Sequence, residues 1–430
     1  RSMTEVQEIK QKRLERAVVV GMVRPDQNRE MVNEYLDELE LLADTAGAEV
    51  LERVIQERQR MDPAYLIGRG KAEELAATAK YLDADLIIFD DDLSPAQVKN
   101  LETLCKTKIV DRSGLILDIF AIHARTREAR TQVELAQLNY LLPRLTRQWK
   151  HLSRQVGGIN VRGPGETQLE TDRRLIRARI RVLQKELEKI SSQRANRRKG
   201  RKELFKAALV GYTNVGKSTL LNALTHADVL VEDRLFATLD ATVRAFELSD
   251  RRLLLIDTVG FIRKLPPHLV ASFKSTLEEA SDADLLLHVI DVSHPFFRDQ
   301  MLAVTEVLRQ LHLDDRPILK VFNKIDKLED RSLLRELAQS DQPCVFISAG
   351  QGVLLGELIE KIKQFIEKDT RFLRLTLPIS AAKMVAQLHK LAEVQSVEYE
   401  DERVAVQLKT TAETAELIER LIADHAGALL

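Results

Sequence analysis

The stretch Gly211-Tyr212-Thr213-Asn214-Val215-Gly216-Lys217-Ser218 has the spacing Gly-x4-Gly-Lys-Ser, between an apolar run at 205–210 and a helix-forming run beginning TLLNAL. In a strand-turn-helix setting, these glycines let backbone N–H groups face phosphate oxygens at the positive end of a helix. Lys217 then neutralises the β and γ phosphates, and the Ser218 hydroxyl is a ligand for Mg2+. Asp257-Thr258-Val259-Gly260 closes an apolar strand at 253–257; Asp257 can hold the metal through water and Gly260 can offer its N–H to the γ-phosphate. Between these motifs, Phe236, Ala237, Thr238, Leu239 and Asp240 are candidate nucleotide contacts. Thr238 is expected to give a hydroxyl to the metal and the γ-phosphate, with Thr242 as the reserve. Asn323-Lys324-Ile325-Asp326 leaves a strand at 318–322, and Asp326 can accept from both N1 and the exocyclic amine of guanine, which adenine cannot satisfy. Ser348-Ala349-Gly350, after a strand at 344–347, can give a backbone N–H to the guanine oxygen. Five motifs in this order imply GTP and GDP binding with Mg2+, and hydrolysis with Lys217, Thr238 and Gly260 at the reacting phosphate.

One expected group is missing. Ras-like enzymes place a Gln directly after Asp-x-x-Gly to orient the attacking water. Here that position is Phe261, which cannot hydrogen-bond to water. Sequence alone does not put His268 or His288 in its place; His288 sits in the apolar strand LLLHVID and is expected to be a core residue.

The elements that position these motifs follow from periodicity. Length 430 predicts several domains, and the fold class expected is α/β multidomain. Residues 1–125 alternate β-branched runs at 17–23, 50–56, 85–90 and 108–111 with helical patterns at 29–46, 71–82 and 94–106, which predicts an N-terminal α/β domain with a largely parallel sheet. Within it, IGRGK at 67–71 reads as a glycine turn opening a helix, with anion binding as the alternative. Asp90, Asp91 and Asp92 read as a polar strand end before the Ser94-Pro95 helix start, with a metal site as the alternative. Residues 205–368 make a Ras-like P-loop G domain, and 369–430 a small α+β C-terminal domain in which the sequence carries no chemistry.

Residues 126–204 read as a basic coiled-coil hairpin. Leu135, Leu138, Leu142, Leu145, Trp149 and Leu152 repeat at steps of three and four, as do Ile176, Ile180, Leu183, Leu187 and Ile190, giving the facing seams of two antiparallel helices. Pro143 should kink the first, and Thr167 with Glu170 should cap the second. The connection at 153–166, SRQVGGINVRGPGE, is rich in glycine and long for a loop without structure of its own, so it reads as a binding loop rather than a passive connector. Trp149 could stack on a base, but its heptad position favours core packing.

Charge is unevenly spread. Net charge is -1, yet 144–206 holds 19 Lys plus Arg against 6 Asp plus Glu, so the remainder is acidic. A basic segment in an acidic chain implies a polyanion met at one place, nucleic acid or an anionic membrane surface. No run of about 20 apolar residues is present to span a bilayer, so no membrane insertion is expected. Two cysteines, Cys105 and Cys344, each beside an apolar run, fit buried thiols in a reducing cytoplasm. Arg1 and Ser2 read as additions ahead of a native start at Met3.

With these residues in view, the chain resembles the HflX family, bacterial ribosome-associated GTPases of the Obg-HflX superfamily. GGINVRGPGETQLETDRR at 157–174, RLFATLDATVR at 234–244 and DTVGFIRKLP at 257–266 carry the resemblance, which extends over the whole chain and is loosest in the last 60 residues. It implies binding to the large ribosomal subunit, rRNA contact by the hairpin tip near the peptidyl-transferase centre, and splitting of stalled or inactive ribosomes under stress. It also implies a monomer off the ribosome, a hydrophobic replacement of the catalytic Gln at Phe261, and, in some members, ATP bound by the N-terminal domain with RNA unwinding. Ala241 stands where the family often has Pro, which bears on the rigidity of that loop. Two other readings stay open: a ribosome assembly or ATP-dependent rRNA-remodelling factor, favoured by unwinding activity in the isolated N-terminal domain, and a non-catalytic translation regulator, favoured by ribosome release without hydrolysis.

Overall fold

The computed structural model describes residues 14–145, 168–198, 204–225, 235–236, 242–248, 251–264, 282–379, 383–400 and 403–427. Its first sheet is built from β1 Glu15–Val23, β2 Ala48–Glu57, β3 Leu86–Phe89 and β4 Lys108–Asp111, parallel throughout in the order β2-β1-β3-β4. β1 and β3 occupy the centre and are apolar on both faces, as a sheet covered on both sides requires. Period-two alternation then divides the core. Ala17, Val19, Leu86 and Ile88 face α1 Arg29–Ala46 and α4 Arg112–His123, while Val18, Val20, Ile87 and Phe89 face α2 Arg69–Tyr81 and α3 Pro95–Cys105. Local signals fix the helix ends: Asn28 caps α1, which stops at left-handed Gly47, and Ser94 with Gln97 forms a capping box ahead of α3. Cys105 and Cys344 are both buried free thiols; burial pushes the Cys105 thiol up to about 11.

Helix α4 has no counterpart among the expected elements. It begins directly at the end of β4, where Asp111 is both the last strand residue and the cap that accepts from Gly114 N–H. It is also buried nearly all round, since its far side meets the G domain through Phe120 and Phe236, whose rings are edge to face at 4.7 Å. A helix covered on both sides has no amphipathic stripe to betray it.

α5 Arg127–Leu141 and α6 Gln168–Arg198 pack along Leu135, Ile180 and Leu183, flanked by Leu138, Leu142, Ile176 and Leu187. Arg127 pairs with Glu186 and Arg179 with Glu134, so numbering rises on one helix as it falls on the other. Pro143 does not kink α5. The α-helix stops at Leu141, and Pro143 sits in a 3-10 turn, Leu142–Arg144, because its ring displaces the backbone of the preceding turn and it brings no N–H. Trp149, Leu152, Thr167 and the loop at 153–166 lie outside the described residues.

The second sheet, in the order β10-β9-β8-β5-β7-β6, uses β5 Phe205–Gly211, β6 Thr242–Leu248, β7 Arg251–Asp257, β8 Leu285–Asp291, β9 Ile318–Asn323 and β10 Cys344–Phe346. All pairings are parallel except that of the edge strand β6 with β7. The chain thus has the mixed α/β fold of a G domain joined to a second parallel α/β unit. A third, antiparallel sheet closes the chain, with β11 Thr370–Pro378, β13 Arg403–Thr411 and β12 Glu393–Glu400 in that order. Helices Lys383–Leu391 and Ala412–Gly427 bury Leu377, Met384, Leu388, Val404, Val406, Leu408 and Ile418 against it.

Candidate nucleotide-binding site

Parallel strands end on the same side, so β5, β7, β8, β9 and β10 deliver their following loops to one sheet edge, where ligands of open α/β sheets are held. The 211–218 loop leaves β5 and enters α7 Lys217–Thr225. Two of its glycines are required by space. A methyl group on Gly211 would lie 2.3 Å from the Val289 carbonyl oxygen, and one on Gly216, at φ 93°, would lie 2.5 Å from Asn323 Nδ2.

Lys217 curls back over this loop, its Nζ donating to the Tyr212 carbonyl at 2.7 Å and to the Gly211 carbonyl at 3.3 Å. Burial lowers its pKa to about 8, against an opposing pull from Asp257. The Ser218 hydroxyl donates to Asp257 Oδ2 at 2.7 Å, and Asp257 Oδ1 is buried without a hydrogen-bond partner among the described residues. Burial raises the Asp257 pKa, opposed by Lys217 and Ser218. A buried orphan carboxylate oxygen beside a hydroxyl is the hard-oxygen set that Mg2+ takes, so Ser218 and Asp257 fit that ion. When bound, Mg2+ would neutralise charge developing on the phosphates. Thr258 spends its hydroxyl on the Leu209 carbonyl at 2.7 Å and is wholly buried, which fastens the 257–260 turn to β5; Val259 is buried beside it.

The base-reading motifs are tied to the same loop. Asn323 Nδ2 donates to the Val215 carbonyl at 2.8 Å, and Asn323 Oδ1 accepts from Ala349 N–H at 2.9 Å. Lys324 donates to the Asn214 carbonyl at 2.9 Å and pairs with Asp291 at 2.6 Å. Asp326 stands exposed on the 3-10 turn Ile325–Lys327. Ser348 is buried and laddered to Val353, and because Ala349 N–H is committed to Asn323, the exposed Gly350 is the remaining candidate donor to guanine.

Other expected residues lie elsewhere. Phe236 turns its ring onto Phe120 of α4. Ala237, Thr238, Leu239, Asp240 and His268 lie outside the described residues; Thr242, the reserve hydroxyl, opens β6 opposite Asp257. His288 is buried in β8, and burial lowers its pKa to about 3, so it is a neutral core residue. Gly68 of IGRGK opens α2 without a side-chain cap, its N–H bound to Gln56 Oε1, while Arg69 and Lys71 pair with Glu73 and Glu74. Asp90 and Asp91 hold Arg112, Arg24 and Lys264, and Asp92 holds Ser113, so these carboxylates pair with cations and a hydroxyl within the fold.

Three family profiles match in succession: GTP-binding GTPase N-terminal over residues 33–121, GTP-binding GTPase Middle Region over 123–201, and 50S ribosome-binding GTPase over 206–324. The chain is 53% identical to GTPase HflX of Flavobacterium psychrophilum over 73% of this chain and 76% of that one. It is 44% identical to GTPase HflX of Lacrimispora saccharolytica over 99% of each. This chain belongs to the HflX family of GTPases. GTPase HflX of Escherichia coli is 44% identical over 87% of this chain and 89% of that one. Among solved structures, a GTP-binding protein of Sulfolobus solfataricus in complex with GDP covers 82% of this chain and 99% of its own, at 27% identity and TM-score 0.44.

For an HflX-family site, the metal assignment has a direct test. Ser218→Ala should weaken triphosphate binding about tenfold or more in Mg2+ and leave it unchanged in EDTA, since hydroxyl ligation is lost and the phosphate cradle kept. Lys217→Ala should weaken it in both conditions. Fluorescent-nucleotide titration separates them, and wild-type behaviour of Ser218→Ala in Mg2+ would remove this hydroxyl from the metal.

Proposed function

We propose that this HflX-family protein hydrolyses GTP to GDP and phosphate on the large ribosomal subunit, and that the cycle splits or rescues stalled or inactive ribosomes under stress. The observation that carries this reading is the coincidence, in one chain, of a site matched by the 50S ribosome-binding GTPase profile with a segment at 144–206 holding 19 basic against 6 acidic residues. The first supplies a nucleotide switch, and the second a surface for a dense polyanion such as rRNA.

In this reading Lys217 sits on the β and γ phosphates, Gly260 N–H and the Thr238 hydroxyl meet the γ-phosphate, and Ser218 and Thr238 ligate Mg2+ with Asp257 behind water. Asp326 reads guanine. The α5–α6 pair is the stem of a basic hairpin whose tip loop at 153–166 reaches rRNA. The protein is a cytoplasmic monomer off the ribosome; among the described residues no helix is long and apolar enough to cross a membrane. Phe261, which stands at the position of that Gln, is apolar and 2% exposed, so it gives the attacking water no hydrogen bond.

Basal hydrolysis should therefore be slow, on the order of 10⁻⁴ s⁻¹ as for intrinsic Ras, and large subunits should accelerate it by completing the site around the attacking water. Single-turnover hydrolysis with and without purified large subunits measures both. Fast turnover in ribosome-free protein, or no stimulation by the subunit, would overturn the reading.

A further inference from the structure

The N-terminal sheet and the phosphate loop meet through a buried network of charges that sequence motifs do not announce. Glu38 of α1 accepts from the Tyr212 hydroxyl and from Arg112, which is 2% exposed and donates its other arm to Asp90 at 2.7 Å. Arg263 lies 3.5 Å from Glu38, and its backbone N–H donates to the Tyr212 oxygen at 2.8 Å. Lys264 donates to Asp90 and, at 3.1 Å, to Asp91. The Tyr35 ring lies beneath both cations, 4.4 Å from the Arg263 guanidinium and 4.9 Å from the Lys264 ammonium.

These cations directly follow the segment that must answer to the γ-phosphate. Phe261 is laddered onto the phosphate loop, its N–H donating to the Gly211 carbonyl at 3.0 Å and its carbonyl accepting from Thr213 N–H at 2.8 Å. The ladder draws Gly260 so near that a methyl group there would lie 2.8 Å from Thr213 Cα and 3.1 Å from Lys217 Nζ. Gly260 N–H and Lys217 are the groups that a γ-phosphate would share. The ladder holds Gly260 close against Thr213 and Lys217, so a γ-phosphate drawing on both Gly260 N–H and Lys217 would pull on the segment that the ladder fixes, whereas a diphosphate would not.

We propose that Glu38, Asp90 and Asp91 are positioning residues for the nucleotide switch: they hold Tyr212, Arg263 and Lys264 so that Phe261 stays on the phosphate loop, and γ-phosphate binding breaks this latch. The proposal rests on the GTP reading of the site. Arg263 is held only in part: its carboxylate partner Glu38 is 3.5 Å away, its Nε, Nη1 and Nη2 make no hydrogen bond among the described residues, and a half-satisfied buried charge is costly. Release has somewhere to go. Asp111, adjacent to Arg112, accepts from the Tyr140 hydroxyl at 2.7 Å and from Arg144 at 2.9 Å, so the same sheet edge seats the end of α5. The latch and the seat of the helix pair thus share one sheet edge.

Because the latch opposes only the triphosphate, weakening it should raise affinity for a non-hydrolysable GTP analogue about fivefold or more and leave GDP affinity within about twofold. Lys264→Ala and Asp91→Asn test it from the two sides in the full chain, by fluorescent-nucleotide titration. Lys264 is partly exposed, so its truncation spares the core. Lys264→Arg should keep the wild-type analogue-to-GDP ratio, and the double variant should gain no more than Lys264→Ala alone, which already removes the contacts of Lys264 with both Asp90 and Asp91. An unchanged ratio in both single variants, or equal shifts for both nucleotides, would overturn the latch. Failure of the wild-type chain to bind either nucleotide would instead overturn the site reading beneath it.

Discussion

Asp326→Asn is expected to exchange GTP for xanthosine triphosphate as the preferred nucleotide, with GTP affinity falling on the order of 10⁴-fold. The carboxylate can accept from the N1 and exocyclic N–H groups of guanine together. An amide keeps one acceptor and turns its other atom into a donor, which faces the guanine amine badly and the xanthine oxygen well. Asp326 is exposed on its turn, so substitution should cost the fold little, and the change in preference can be read apart from stability. Competition between the two triphosphates measures it. Unchanged GTP preference would remove Asp326 from base recognition.

The second large effect concerns the loop at 153–166. Arg154→Glu with Arg162→Glu should lower large-subunit affinity and flatten its salt dependence by about one unit of log-log slope per lost phosphate contact, as counterion release requires. GTP affinity should persist, since neither residue belongs to a nucleotide motif. Replacement of 157–165 by a short Gly-Ser turn should act in the same direction. The measurement is co-sedimentation over a salt series, beside nucleotide titration of the same protein. Full binding by the loop-replaced chain would make α5 and α6 a spacer and not a probe.

What could be read in advance was what is local. Gly-x4-Gly-Lys-Ser needs only neighbours in sequence to specify its turn, and VVV or LIIF needs only its own apolar character to claim the centre of a parallel sheet. The charge network was illegible for the opposite reason. Tyr212 and Glu38 are 174 positions apart, as are Lys264 and Asp90, and no periodicity encodes such a pairing. Two faint signals existed: Glu38 lies within the apolar face of α1 between Leu36 and Leu39, and Arg112 opens an otherwise apolar helix. A charge inside a buried stripe requires a partner, though not any particular one. Pro143 misled because its effect was placed inside a continuing helix, whereas the chain ends the α-helix there.

The central claim, a guanine-nucleotide switch that engages the large ribosomal subunit, is tested most directly by sucrose-gradient co-sedimentation of the full chain with purified large subunits, loaded with a non-hydrolysable GTP analogue or with GDP. The account predicts stable co-sedimentation with the analogue and release with GDP. Equal binding in the two nucleotide states, or no binding in either, would contradict it.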